Sequence, residues 1–168
     1  MKAKTISISN FKGGVGKTTS TLNIGAAMAR KGKRVLLVDL DPQYNLTTSL
    51  PTIEQPVPTA FNILCEKAQP EPVEIAPNLH LIPSSLSLIK AETLLTSRLH
   101  REYILRKALE PLESSYDFIL LDCPPALGNI TLNAYFASDL IFVPVEAEFL
   151  SFGGATVLQD ALAEIEIA

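Results

Sequence analysis

The sequence predicts a three-layer α/β fold, in which helices flank a mainly parallel sheet. Short apolar runs alternate with segments of helical periodicity along the chain, which favours βαβ units. The first such unit consists of the strand-like residues 5–9 (TISIS), a glycine-rich stretch, the helical residues 18–31 and the apolar run at 34–40. Glycines or aspartates follow three of the predicted strands, and ligands bind at the carboxyl ends of strands in such folds.

The remaining elements follow from the same two periodicities. Strands are predicted at residues 79–83, 118–121 and 140–145, and helices at 46–50, 59–65, 130–137 and 153–167. Residues 85–112 have apolar positions at helical spacing, with a break near residues 96–100. Three prolines in residues 66–77 indicate a connector without regular structure. The chain is expected to form a single domain, residues 1–168.

Composition and charge argue against several classes of protein. Hydrophobic residues make up 47% of the chain and charged residues 19%, which is typical of a globular protein rather than a disordered one. The formal net charge of −4 gives no general attraction to nucleic acid or to anionic membranes. No apolar run reaches the roughly 18 residues of a membrane span. Cys65 and Cys123 lack the spacing of a zinc site and are expected to be reduced thiols in the cytoplasm.

The stretch KGGVGKTT has the composition of a phosphate-binding loop. Its glycines let the backbone approach an anion closely, and successive N–H groups at the start of the following helix point toward it. Lys17 places a charge on the phosphates, and the hydroxyl of Thr18 is suited to Mg²⁺. The predicted nucleotide-binding residues are Lys12, Gly13, Gly14, Val15, Gly16, Lys17, Thr18 and Thr19.

A second lysine makes this loop unusual. Phe11 stands where the standard phosphate-loop pattern has its first glycine, and Lys12 follows it. From the residues alone, Lys12 is either a solvated loop lysine or a second functional cation. The two alternatives predict different effects of removing its charge.

Aspartates follow two of the buried strands. Asp39 and Asp41 end the run RVLLVDLD and, being two residues apart, face the same way on an extended chain. Asp122 ends the run FILLD. Two close carboxylates repel each other unless a cation or water lies between them. Because parallel strands end at one edge of the sheet, these aspartates are expected to meet the glycine loop there.

Three motifs together resemble a known family. KGGVGKTT, DLDPQYNLT and DFILLDCPP occur in this order in the ParA/MinD family of deviant Walker-type P-loop ATPases, and they are most similar to its ParA (Soj) branch. The resemblance extends from residue 3 to about residue 160. It implies a P-loop NTPase-like fold and a cytoplasmic ATPase that uses ATP and Mg²⁺ and is slow until a partner stimulates it.

The resemblance also implies a role for each site residue. Lys12 matches the family's signature lysine, which reaches across a dimer interface to the partner's ATP and stabilises the transition state. Asp41 matches the residue that orients the attacking water, and Asp122 the acid that holds Mg²⁺ through water. Glu146 matches a segment that contacts ribose or the partner subunit. The implied catalytic residues are Lys12, Lys17 and Asp41, and the implied metal-site residues are Thr18, Asp39 and Asp122.

Partners and alternatives follow from the same resemblance. It implies an ATP-dependent homodimer that works with a ParB-like adaptor in plasmid or chromosome partitioning. Family members normally continue beyond this length, so the fold is expected to be truncated at its C-terminus, where the family has part of its adenine pocket and the basic residues that bind non-specific DNA; DNA binding by this chain is possible but doubtful. The acidic charge argues against binding of non-specific DNA. The alternatives are a truncated, non-catalytic paralogue that regulates a full-length ATPase, and a ParA-like ATPase that positions another cargo.

Overall fold

A single six-stranded sheet forms the centre of the protein. The computed structural model describes residues 2–50, 53 and 56–146. The strands are β1 (Lys4–Ile8), β2 (Val35–Asp39), β3 (Val73–Ala76), β4 (Leu79–Ile82), β5 (Phe118–Asp122) and β6 (Leu140–Phe142). Their order in the sheet is β3-β4-β2-β5-β1-β6, and every neighbouring pair is parallel except β3 with β4. The mainly parallel α/β prediction is therefore confirmed.

Helices lie between the strands, close to their predicted places. They are α1 (Lys17–Arg30), α2 (Asn45–Thr48), α3 (Ala60–Glu66), α4 (Ala91–Thr96), α5 (Ile104–Leu109) and α6 (Asn129–Ala137). The predicted break near residues 96–100 separates α4 from α5, and short 3₁₀ turns flank both helices. The predicted helix at 153–167 lies outside the described residues, and the single-domain assignment of residues 1–168 stays a prediction. No helix in the described part of the chain is long and apolar enough to span a membrane.

The connector assigned to residues 66–77 was wrong in part, because it contains β3. This strand is only four residues long and pairs antiparallel with β4, where Val73 lies opposite Leu81. Its residues alternate between half-buried and exposed, as expected for an edge strand with one solvated face. The flanking prolines obscured a pattern this short, and prolines are compatible with an edge position.

Two hydrophobic clusters hold the three layers together, one on each face of the sheet. β2 is buried along its whole length. Leu36 and Val38 pack on one face with residues of α3 to α6. Val35 and Leu37 pack on the other face with α1. A strand covered on both sides reads as a continuous apolar run, which is why β2 was predictable from its sequence.

The connections between strands place a crevice at one edge of the sheet. β1 and β5 are neighbours in the sheet. The chain leaves β1 through α1, which packs on one face, and leaves β5 through α6, which packs on the other. Loops that diverge in this way leave a space beyond the carboxyl ends of the two strands, where open α/β sheets bind ligands.

Gly25 sets how closely α1 approaches the sheet. A Cβ atom added there would lie 2.7 Å from Cδ2 of Leu37, which is fully buried. We expect Gly25→Ala to lower the free energy of unfolding by about 1–2 kcal/mol, because overpacking exceeds the gain in helix propensity. Urea denaturation measures this. Asn23→Ala, on the exposed side of the same helix, serves as the control, and an equal effect of both variants would contradict the packing argument.

Candidate nucleotide-binding site

The glycine loop between β1 and α1 forms an open cradle. Gly14 and Gly16 adopt φ values of +79° and +84°, which only glycine adopts without strain. Gly16 is the N-cap of α1 and makes no side-chain capping bond, so the first amides of this 14-residue helix are available to a ligand. Cβ atoms added at Gly13, Gly14 or Gly16 would meet nothing within 4 Å. The cradle thus combines exposed amides with the positive end of a helix dipole.

A cavity of about 430 Å³ lies against this cradle. Seven of the predicted site residues line it, namely Gly13, Gly14, Gly16, Lys17, Thr18, Thr19 and Asp41. Four further residues line the cavity, namely Gln43, Asn45, Ser49 and Pro125. The first three belong to the stretch DPQYNLTTS and the fourth to the stretch after Asp122, so the signal lay in the motifs themselves. The dimensions suit a polyphosphate rather than a single small anion.

Lys17 is a buried cation at the base of the cavity. Lys17 is only 7% exposed, and its Nζ donates a hydrogen bond to the backbone oxygen of Lys12 at 3.1 Å. Burial lowers the pKa of Lys17, while the negative charges of Asp122 and Asp41 act in the opposite direction. A buried ammonium that is held by a neutral carbonyl has much to gain from a phosphate.

Lys12 has a different environment from Lys17. Its Nζ forms an ion pair with Oε2 of Glu146 at 2.6 Å, and both side chains are about half exposed. Lys12 is not among the described residues that line the cavity. Its backbone N–H donates to Oδ1 of Asn10 at 2.9 Å. The two lysines of the loop are therefore anchored in different places, although they are only five residues apart.

Asp122 faces the loop with an unsatisfied carboxylate. The residue is 1% exposed, and its Oδ1 accepts a hydrogen bond from Thr21 at 3.3 Å. Its Oδ2 is buried and has no hydrogen-bond partner among the described residues. Burial, helped by the charges of Asp39 and Asp41, raises the pKa of Asp122 to about 7, while the hydroxyls of Thr18 and Thr21 act in the opposite direction. A buried carboxylate left in this state is costly unless a cation satisfies it.

Asp39, the last residue of β2, and Asp41, two residues beyond it, have separate environments. Asp39 is fully buried and accepts hydrogen bonds from the backbone N–H of Asp41 and from the N–H and Oγ1 of Thr47. Asp41 lines the cavity, and its Oδ1 accepts from the N–H of Gln43 at 2.8 Å. Ser84, after β4, donates to the backbone oxygen of Asp41 at 2.8 Å. Burial raises the pKa of Asp39 to about 6. Asp39 thus shapes the loop that presents Asp41.

The oxygen donors near the cradle suit a magnesium ion that is shared with phosphate. Within the described residues there is no group of three or more His, Cys, Asp or Glu side chains that could hold a metal ion by itself. Asp122 and the hydroxyl of Thr18 are hard oxygen donors near the cradle, which suits Mg²⁺ that keeps waters and shares phosphate oxygens. Cys123 is fully buried, and burial raises the pKa of its thiol to about 12, so it is a packing residue.

The family follows from comparison with known proteins. A protein-family model described as "AAA domain" matches residues 3–167. Sporulation initiation inhibitor protein Soj of Bacillus subtilis (strain 168) is 44% identical over 162 residues, which cover 92% of this chain and 63% of that protein. The chain belongs to the ParA/MinD family of P-loop ATPases. Chromosome partitioning protein ParA of Caulobacter vibrioides is 38% identical over 168 residues, which cover 96% of this chain and 63% of that protein.

Solved structures of other proteins share the fold of this ParA/MinD-family chain. A structure described as cobyrinic acid a,c-diamide synthase from Mycobacterium smegmatis, with bound ATP analogue and magnesium, has a TM-score of 0.90 at 36% identity, over 98% of this chain and 68% of that one. A plasmid partition protein of Borrelia burgdorferi bound to AMPPNP has a TM-score of 0.88 at 28% identity, over 99% and 72% of the two chains. The present chain spans less than two thirds of the length of the two curated relatives named above.

Proposed function

We propose that this protein is a MgATP-dependent, dimerising ATPase of the ParA type, which acts in plasmid or chromosome partitioning with a ParB-like partner. The observation that carries the proposal is the site itself. A glycine cradle and a buried lysine face a buried carboxylate oxygen of Asp122 that has no hydrogen-bond partner in the described part of the chain. The buried lysine and the buried carboxylate each carry a desolvation cost, which a magnesium-bound polyphosphate would offset, while the cradle offers its exposed amides to the phosphates.

In the proposed complex, the chain's own groups hold the nucleotide. The amides of the glycine loop and of the first turn of α1 bind the phosphates, and Lys17 exchanges its bond to the oxygen of Lys12 for one to phosphate. Thr18 and Asp122 hold Mg²⁺, with Asp122 acting through water. When bound, the ion neutralises charge that develops on the phosphates.

Hydrolysis requires an oriented water and a cation at the γ-phosphate. Asp41 lines the cavity and has a fixed backbone, so we assign it the orientation of the attacking water. Asp39 holds the Asp41 loop through Thr47 rather than binding the metal directly. Lys12 supplies its charge in trans to the nucleotide of a second subunit. The pairing of its ammonium with Glu146, which like Lys12 is not among the described residues that line the cavity, supports this assignment.

The names of the relatives supply the proposed cellular role. Soj, ParA and plasmid partition proteins are among the proteins to which the chain is similar. Because the chain spans only part of the curated relatives, the adaptor, the cargo and ATP hydrolysis by this chain are all part of the proposal.

Sedimentation tests the proposed switch. The chain is centrifuged alone, with MgADP, and with Mg²⁺ and a slowly hydrolysed ATP analogue, while equilibrium dialysis measures nucleotide binding. We expect binding of both nucleotides and a dimer only with the ATP analogue. Failure to bind either nucleotide would contradict the proposal, and binding without any dimer would favour a passive, non-catalytic role.

Removal of the second lysine separates dimerisation from binding. We expect Lys12→Ala to weaken ATP-dependent dimerisation at least about tenfold, while MgADP affinity changes less than about threefold, because the charge acts on the partner's nucleotide. The same sedimentation and dialysis measurements check both values. Lys33→Ala, which removes an exposed lysine beyond the far end of α1, is the control. Unchanged dimerisation in Lys12→Ala would remove the proposed role of this residue.

A further inference from the structure

Asn10 joins the phosphate loop to a distant part of the chain. It follows β1 and is 3% exposed. Its Oδ1 accepts a hydrogen bond from the backbone N–H of Lys12 at 2.9 Å, and its Nδ2 donates to the backbone oxygen of Pro144 at 2.8 Å. Only this orientation of the amide satisfies both neighbours, since one needs an acceptor and the other a donor. One rigid, planar group therefore fixes the distance between the loop and the segment after β6.

The bonds of Asn10 belong to a series along the same two segments. One residue earlier, the N–H of Ser9 donates to the oxygen of Phe142 at 3.0 Å. Beyond Asn10, Nζ of Lys12 meets Oε2 of Glu146 at 2.6 Å. The pairing of β1 with β6 thus continues past the strands, first through backbone, then through the Asn10 amide, and finally through an ion pair.

If Lys12 acts on the nucleotide of a partner subunit, the position of its backbone determines which point its ammonium can reach. A lysine side chain has four rotatable bonds, so its ammonium is useful at a distance only where its Cα is held in place. Misplacement of a charged group by about 1 Å can cost on the order of a hundredfold in rate. The bond from Asn10 holds the backbone N–H of Lys12, and the bond from Nζ of Lys17 holds its backbone oxygen until, in the proposed complex, Lys17 turns to phosphate.

We propose that Asn10 is a positioning residue for Lys12: its amide fixes the Lys12 backbone relative to residues 144–146 and thereby aims the ammonium toward a second subunit. This inference rests on the proposed function, in which Lys12 acts in trans. It also predicts that the phosphate loop and residues 144–146 shift together. A purely structural role would instead affect folding and leave the balance between nucleotide binding and dimerisation unchanged.

Paired substitutions distinguish positioning from general destabilisation. Asn10→Ala removes both bonds. Ser9→Ala, at the neighbouring position, is the matched control. It removes the buried hydrogen bond between the hydroxyls of Ser9 and Tyr135 and leaves both bonds of the Asn10 amide in place. We expect Asn10→Ala to weaken dimerisation with Mg²⁺ and the ATP analogue at least about tenfold and to change MgADP affinity less than about threefold. Ser9→Ala is expected to leave both values near those of the wild type.

Equal effects of the two variants, or an equal loss of MgADP affinity and dimerisation in Asn10→Ala, would overturn the inference. Hydrogen exchange of the Lys12 amide in the nucleotide-free protein provides a readout that does not need a dimer. We expect it to be faster in Asn10→Ala and unchanged in Ser9→Ala. If the wild type binds nucleotide but never dimerises, the proposed function fails. Unchanged hydrogen exchange at the Lys12 amide in Asn10→Ala would overturn the positioning inference independently of dimerisation.

Discussion

Asp122→Asn is expected to stabilise the nucleotide-free protein at pH 8. At the same time, we expect Mg²⁺ no longer to strengthen ATP binding by this variant. The carboxylate is buried, one of its oxygens has no hydrogen-bond partner among the described residues, and its pKa is raised to about 7. Removing the charge removes this cost. The same charge is the one that we assign to the magnesium ion, so the gain in stability accompanies a loss of function.

The raised pKa of Asp122 determines how the stability difference between Asp122→Asn and the wild type changes with pH. A carboxyl group whose pKa is raised in the fold binds its proton more tightly there than in the unfolded chain, where it titrates near its ordinary value of 3.8. Its penalty is therefore complete above pH 7 and disappears as the pH falls from about 7 toward about 4. We expect Asp122→Asn to gain roughly 1–3 kcal/mol at pH 8, with the difference from wild type shrinking through this window.

Urea denaturation at pH 8, 6 and 4.5 measures the difference, and ATP titrations with and without Mg²⁺ measure the functional loss. Asp117→Asn is the control, since hydrogen bonds from Arg34 lower the pKa of this partly exposed carboxyl group. The stability contributed by Asp117 is present above its unfolded pKa and is lost as the pH falls, which is the opposite sign. A variant at position 122 that is less stable than wild type at pH 8 would contradict our description of the site.

Lys17→Ala is expected to lower ATP affinity by about one to two orders of magnitude. The Lys17 ammonium lies at the base of the cavity, and charge-assisted hydrogen bonds contribute about 1.5–3 kcal/mol each. The substitution also leaves Asp122 and Asp41 without the cation that now faces them. The fold should survive, because α1 keeps its contacts with the sheet.

Equilibrium binding of a fluorescent ATP analogue measures this loss, with circular dichroism as a check on folding. Lys31→Ala removes an exposed lysine after the last turn of α1, about 20 Å from the loop by helix length, and should bind nucleotide like the wild type. Similar affinities for the Lys17 and Lys31 variants would show that the cavity is not the nucleotide site.

Sequence reasoning succeeded where function depends on local pattern plus one rule of topology. The glycine loop and Asp122 each follow a readable strand, and parallel pairing brings β1 and β5 together. The distinction between Asp39 and Asp41 was not predictable in this way. Asp39 is the last residue of β2 and Asp41 lies two residues beyond it, and only the contacts of the first with Thr47 and of the second with Ser84 distinguish their environments.

Other features escaped because their partners are distant in the chain. Asn10 and Pro144 are 134 residues apart, and neither residue type suggests the other. The edge strand β3 was missed because four residues between prolines give too little alternation to recognise. The predicted roles of Lys12, Asp41 and Asp122 stay predictions.

The central claim is that Lys12 of one subunit serves the nucleotide of the other, and mixed dimers test it most directly. Lys12→Ala and Asp41→Ala should each hydrolyse ATP poorly, and the Asp41 variant should accumulate as an ATP-bound dimer. In a mixed dimer, one site combines an intact Asp41 with a Lys12 donated by the partner. We predict that mixing the two variants restores ATPase activity, up to about a quarter of the wild-type rate for random pairing. Activity that stays at the level of the separate variants, despite a measurable wild-type rate, would contradict the account.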